Sequence, residues 1–192
     1  MKKKIAVTGG IGSGKSLVCK ILKELNEECY SCDEIYRQLW QEESYQNELL
    51  AIFPEIEKNG KPDKGLLASL VFQNEEALQK LNAFAHPKIM SRLYSLMDSC
   101  TNALVFAEVP LLFEGGFEKD FNAVFVVLRE KTQRIFFTAQ RDNVSTIEVE
   151  RRIANQFNYD SIDKTNSRYI FIENNGSIEK LKENVLSILR KI

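Results

Sequence analysis

A lysine and a serine close a run of glycines near the start of the chain: Gly9-Gly10-Ile11-Gly12-Ser13-Gly14-Lys15-Ser16. Gly9, Gly14, Lys15 and Ser16 occupy the fixed positions of the phosphate-binding pattern G-x-x-x-x-G-K-[ST]. Glycines let the backbone take conformations that a side chain forbids and let it approach a ligand closely. Successive N–H groups then point into one concavity at the positive end of a helix, which suits a triphosphate. The expected contacts run through Gly10, Gly12, Ser13, Gly14, Lys15, Ser16 and the backbone N–H of Leu17. Lys15 would reach the β- and γ-phosphates, and the Ser16 hydroxyl would ligate magnesium.

Such a loop needs a strand before it and a helix after it. Ile5-Ala6-Val7 supplies the apolar run, and Leu17, Val18, Ile21, Leu22 and Leu25 supply an apolar stripe at helical spacing. Further strands are expected at Glu28–Ser31, Ala103–Glu108, Ala123–Leu128 and Tyr169–Glu173, after a first strand at Lys4–Thr8. Their short, continuous apolar character fits a parallel sheet buried on both faces. Ile178 to Arg190 reads as an amphipathic helix, with Asn175-Gly176-Ser177 as its turn and N-cap.

Two stretches interrupt this alternation. Residues 34–102 read as helical, broken by turn residues at Asn59-Gly60-Lys61-Pro62. Residues 130–167 are polar and helical and carry Arg134, Arg141, Arg151 and Arg152, cations able to close over a phosphate chain. For most of those arginines a solvated helix face is the preferred reading. The expected class is therefore α/β: a three-layer phosphate-loop fold with a five-stranded parallel sheet, a helical substrate lobe and a lid. A single domain spans residues 1–192, with its core at about 1–33, 103–129 and 168–192, the lobe at about 34–102 and the lid at about 130–167.

Composition narrows the function classes. A chain of 192 residues with 44% hydrophobic and 28% charged side chains can bury a core and stay soluble. A formal net charge of -1 gives no support for a general nucleic-acid or membrane-surface role. No apolar run approaches transmembrane length, and no signal-peptide pattern follows Lys2-Lys3-Lys4, so the expected location is cytoplasmic. Cys29 and Cys32 form a C-x-x-C spacing, but no second pair accompanies them, and ordinary buried thiols are expected.

In this order the motifs resemble the dephospho-CoA kinase family. The resemblance rests on Thr8 to Ser16, Asp33, His86-Pro87, Val109-Pro110-Leu111-Leu112-Phe113-Glu114, Arg141-Asp142, Arg152-Ile153 with Gln156, and Ile172-Glu173-Asn174-Asn175-Gly176. It covers nearly the whole chain, and the Val-Pro-Leu-Leu-Phe-Glu run makes it specific. It implies a phosphate-loop kinase similar to nucleoside monophosphate kinases. The implied activity is magnesium-dependent transfer of the γ-phosphoryl of ATP to the ribose 3′-hydroxyl of dephospho-CoA, the last step of coenzyme A synthesis. The implied partner is a small molecule, with no nucleic acid and no membrane, and a monomer or weak homo-oligomer is expected.

Roles for single residues follow from the resemblance. Asp33 becomes the base that orients the acceptor hydroxyl, against the alternative that it caps the helix it opens. Glu108 stands where the family usually has Asp, and implies a water-mediated contact to magnesium. Arg37 and His86 become substrate-lobe candidates; His86 alone would read as a helix-start or packing residue. Arg141 becomes the lid guanidinium, against an exposed salt bridge to Asp142. Asn174 and Gly176 border the adenine.

The chain departs from the family pattern at Ser31 (for Asp), Phe137 (for Arg), Lys64 (for Arg) and Arg168-Tyr169 (for Ala-Asp), with about two extra residues between Gln156 and Asn174. Another nucleotide or small-molecule kinase on the same scaffold is the first alternative. A regulatory GTPase would need an Asn-Lys-x-Asp segment, which does not occur; a motor or transporter subunit would need a hydrophobic strand ending in Asp-Glu and a signature loop, whereas strand three ends in Glu108-Val109-Pro110. A protein that only binds nucleotide is the third.

Overall fold

The computed structural model describes residues 2–192. Among the described residues two compact units divide the chain: residues 2–30 with 99–192, and residues 31–98.

In the first unit β1 (Lys3–Thr8) leads through the glycine loop into α1 (Lys15–Glu24) and then β2 (Glu28–Ser31). After the second unit come β5 (Leu104–Glu108), β6 (Ala123–Leu128), α6 (Lys131–Asp142), α7 (Thr146–Ala154), β7 (Tyr169–Glu173) and α8 (Ile178–Leu189). The five strands form a parallel sheet in the order β2-β5-β1-β6-β7. The observed strands start and stop within one residue of those expected. The strand order changes direction around β1, and ligands of open parallel sheets bind beyond strand ends at such a place.

Alternation within the strands explains the core. Ile5, Val7, Phe106, Phe125, Val127 and Ile172 share a cluster with Val18, Ile21 and Leu22 of α1 and with Leu181 and Val185 of α8. Neighbouring strand residues Ala6, Val105, Ala107, Val124 and Val126 point the other way and are also buried. A sheet covered on both faces requires helices on both sides.

In the second unit α2 (Cys32–Leu39) and α3 (Glu43–Ile52) precede α4 (Lys64–Gln73) and α5 (Glu75–Ser99). Tyr36, Trp40, Tyr45 and Phe84 pack ring to ring, with Tyr45 and Phe84 centroids 5.0 Å apart. Two details differ from the sequence reading. The turn at residues 59–62 is a small antiparallel hairpin, β3 (Glu57–Lys58) against β4 (Lys61–Pro62). Asn59 and Gly60 both take positive φ, 55° and 77°, as a two-residue hairpin turn requires. Pro87 does not start a helix; it lies inside the 25-residue α5. His86 is therefore a mid-helix residue. The proline removes one backbone donor, and the helix continues past it.

Candidate active site

The glycine loop leaves β1 at Thr8 and enters α1 at Lys15. Gly12 and Gly14 hold φ of 75° and 96°, the left-handed region that a β-carbon disfavours. The loop is braced at four points. The Ile11 N–H donates to Gln156 Oε1 at 2.8 Å, and the Ile11 carbonyl accepts from Arg134 Nε at 2.8 Å. Asn174 Nδ2 donates to the Ser13 carbonyl at 2.8 Å. Tyr159, in the short turn Tyr159–Ser161, places its hydroxyl 3.2 Å from Thr8 Oγ1. Burial first of all pushes the Tyr159 pKa up to about 12, so it remains a neutral phenol that can hydrogen-bond at physiological pH.

The side chains expected to hold phosphate converge in this loop. Lys15 Nζ donates to the carbonyls of Gly9 and Gly10, at 2.8 and 3.3 Å. Ser13 Oγ is buried without a hydrogen-bond partner, which suits a group that gains one from an anion. The first N–H groups of α1 have no acceptor within their own helix. The Leu17 N–H donates to the Gly14 carbonyl at 3.0 Å, in the first turn of the helix.

Glu108 reaches the same place through the sheet. It pairs with Val7 across the β1–β5 ladder, at the loop end of both strands. Its Oε1 accepts from Ser16 Oγ at 2.7 Å. The serine proton is thereby directed at the carboxylate, and the serine oxygen keeps lone pairs for a metal. Among the described residues no group of three or more His, Cys, Asp or Glu could hold a metal ion. A cation here would draw its remaining ligands from phosphates and water, which is magnesium's habit rather than zinc's. The residues fit magnesium.

Asn174 and Gly176 part company. Asn174 is 2% exposed, and its side chain is spent on the Ser13 carbonyl, so it braces the loop instead of lining open space. Gly176 borders a cleft of about 460 Å³ with Arg129, Thr132, Gln133, Phe136 and Phe137. Arg129 lies 4.4 Å above the Phe137 ring, and its Nε donates to the Asn174 carbonyl. Phe136 and Phe137 give this cleft an aromatic wall.

Arg141 sits at the end of α6, exposed, with Nε and Nη2 on the two oxygens of Asp142 at 2.7 and 3.2 Å. Arg152 of α7 shares that carboxylate. The bond to Asp142 is the first cause of the raised Arg141 pKa, and the bond from Arg141 is the first cause of the lowered Asp142 pKa. The salt-bridge reading describes Arg141 in this structure. Arg134, which sequence reasoning treated like the other lid arginines, is the one docked on the loop.

In residues 31–98, Ser31 caps α2 by accepting from the Glu34 N–H. Ser31 therefore does the capping that Asp33 could have done. Asp33 is exposed in the first turn, its carboxylate unpartnered among the described residues. Arg37 donates to the Asp33 carbonyl at 3.3 Å. His86 is partly buried on α5, and burial pulls its pKa below the usual histidine value.

A parallel sheet whose central strand ends in a braced, lysine-bearing glycine loop, with a serine–carboxylate pair beside it, defines a phosphate-loop nucleotide-binding protein. Residues 3–180 match the family model described as dephospho-CoA kinase. A dephospho-CoA kinase from Fusobacterium nucleatum is 34% identical over 184 residues, covering 94% of each chain. A solved Thermus thermophilus structure superposes with a TM-score of 0.86 at 30% identity, covering 100% of this chain and 98% of that one. Dephospho-CoA kinase from Campylobacter jejuni gives 0.66 at 26% identity, covering 100% and 97%. The chain belongs to the dephospho-CoA kinase family.

Proposed function

We propose that this protein transfers the γ-phosphoryl group of ATP to the ribose 3′-hydroxyl of dephospho-CoA, giving coenzyme A, with magnesium. The observation that carries this reading is the family match across residues 3–180, in a chain whose loop places Lys15 and the Ser16–Glu108 pair together.

Each residue then has a task. The loop N–H groups and Lys15 hold the β- and γ-phosphates. Ser16 would hold magnesium through its hydroxyl oxygen, while Glu108 fixes that hydroxyl at 2.7 Å and would accept from water around the ion. Magnesium, when bound, neutralises charge on the β- and γ-oxygens. Gly176 and the Arg129–Phe137 wall receive the adenine. Asp33 accepts the hydrogen bond of the 3′-hydroxyl and orients it for attack; its carboxylate is free to do so because Ser31 caps the helix. Arg37 and His86 serve the acceptor in residues 31–98, the substrate lobe. Residues 130–167 form the lid, in which Arg141 exchanges Asp142 for a phosphate on closure.

No described helix is long and apolar enough to cross a membrane. We place the enzyme in the cytoplasm, acting as a monomer or weak homo-oligomer on a small molecule.

The test is a mass measurement after incubating the protein with dephospho-CoA, ATP and magnesium. The expected product is heavier by one phosphoryl group, borne on the 3′ position, with little reaction on nucleoside monophosphates. Magnesium-ATP binding with no gain of mass on dephospho-CoA would overturn the assignment, as would preferred transfer to a monophosphate.

A further inference from the structure

The glycine loop carries a second cation. Arg134 Nε is fixed on the Ile11 carbonyl at 2.8 Å. Its guanidinium lies so close to Gly10 that a β-carbon built there would meet Nη2 at 2.2 Å and Cζ at 2.7 Å. A β-carbon on Gly12 would meet Thr138 Oγ1 at 2.5 Å and the Arg134 carbonyl at 2.6 Å. Residues 134 and 138 are one helical turn apart, so a single face of α6 rests on the loop where it lacks side chains. Lys15 Nζ also lies on Gly10, through its carbonyl. Two cations therefore converge on Gly10, Lys15 at its carbonyl and Arg134 at its α-carbon.

Arg134 differs electrically from the other lid arginines. Arg141 and Arg152 are exposed and share Asp142. Arg134 is half-buried, and no carboxylate forms an ion pair with it among the described residues. Burial lowers its pKa, and Asp160 and Tyr159 oppose that effect only in part. A guanidinium still carries its charge under such conditions. A cation taken out of water without a counter-ion costs stability, and an arriving anion would remove that cost.

We propose that Arg134 is a catalytic arginine, whose terminal amino groups hold the γ-phosphoryl oxygens of ATP at the Gly10 end of the loop, beside Lys15. This rests on the kinase reading given above. During transfer the bond between the γ-phosphorus and the β–γ bridging oxygen breaks, and its electron pair leaves with ADP. The new bond forms from the acceptor oxygen, whose proton passes to Asp33. Arg134 exchanges no proton; it balances charge on the equatorial oxygens, and its planar fork suits two of them at once.

The test is calorimetric titration of wild type and Arg134→Met with magnesium-ADP and with the magnesium complex of a non-hydrolysable ATP analogue, without acceptor. The Kd for the ATP analogue should rise about 10- to 100-fold, while that for ADP stays within about twofold. With acceptor present, kcat should fall about 10³-fold. Equal weakening of both nucleotides would make Arg134 a brace for Ile11 and overturn the proposal, as would no change in either. Arg134→Lys keeps the charge and can still reach the Ile11 carbonyl. If the methionine variant does not fold, the lysine variant decides: a kcat at least about tenfold lower with ADP affinity kept supports the fork, and wild-type kcat overturns it. The titrations use no dephospho-CoA, so their outcome is independent of whether dephospho-CoA is the acceptor.

Discussion

The phosphate loop and the exposed turn at Asp33 solve opposite problems. In the loop the framework is tied down: the Ile11 N–H and carbonyl by Gln156 and Arg134, the Ser13 carbonyl by Asn174, the Ser16 hydroxyl by Glu108. Asp33 is held only by the helix it belongs to, with its carboxylate in water. A site for a highly charged, invariant group benefits from dipoles fixed in advance, because nothing then reorganises at the moment of reaction. A residue that meets a larger and more varied acceptor must stay accessible until that acceptor arrives. Mutations should therefore cost stability in the first region and turnover alone in the second.

Apart from Arg134, the largest expected effect lies in the second region. Asp33→Asn should reduce kcat by about 10²- to 10³-fold with an unchanged melting temperature, because the exposed carboxylate holds no native contact. A melting temperature that drops along with activity would break the contrast. Next comes Asn174→Ala, which leaves the Ser13 carbonyl buried without its partner. The loss should be about 1–3 kcal/mol, read as a Tm lower by about 3–10 °C, together with weaker ATP binding. A variant as stable as wild type would mean that the loop does not depend on this strut.

The smallest effect concerns pH. Burial depresses the His86 pKa in the fold, so the unfolded chain binds more protons below about pH 6.5. That contribution to stability is present above this pH and is lost as pH falls toward the folded value. Denaturant midpoints measured from pH 7.5 down to 5 should thus decline more steeply for wild type than for His86→Gln. Parallel declines would remove His86 as the cause.

Much of the first region could be read in the sequence, because glycine spacing, strand composition and the Lys15–Ser16 pair are local signals. At Asn59-Gly60 the turn was legible but the hairpin was not: the dipeptide is the preferred two-residue hairpin turn, yet the flanking strands are only two residues each and lack an alternating pattern. Pro87 inside α5 ran against local propensity, and only tertiary packing can sustain the helix there. Arg134 could not be distinguished from Arg141, Arg151 and Arg152 by type or by distance from the loop along the chain. What sets it apart is helix phase: with Thr138 it faces loop residues whose missing side chains make room. Asn174 as a strut was hidden for a similar reason, since its partner is 161 residues away.

The buried thiols of the first unit make it a clock. Cys19 on α1 and Cys29 on β2 are each under 10% exposed, whereas Cys100 is partly open. A hydrogen bond with Cys29 and then burial push the Cys19 thiol well above its usual range, which silences it as a nucleophile in the native state. A thiol reagent should mark Cys100 at once and reach Cys19 and Cys29 only when the sheet parts from its first helix. The labelling half-time would then report, with no engineered probe, how much more slowly that separation occurs once a nucleotide is seated.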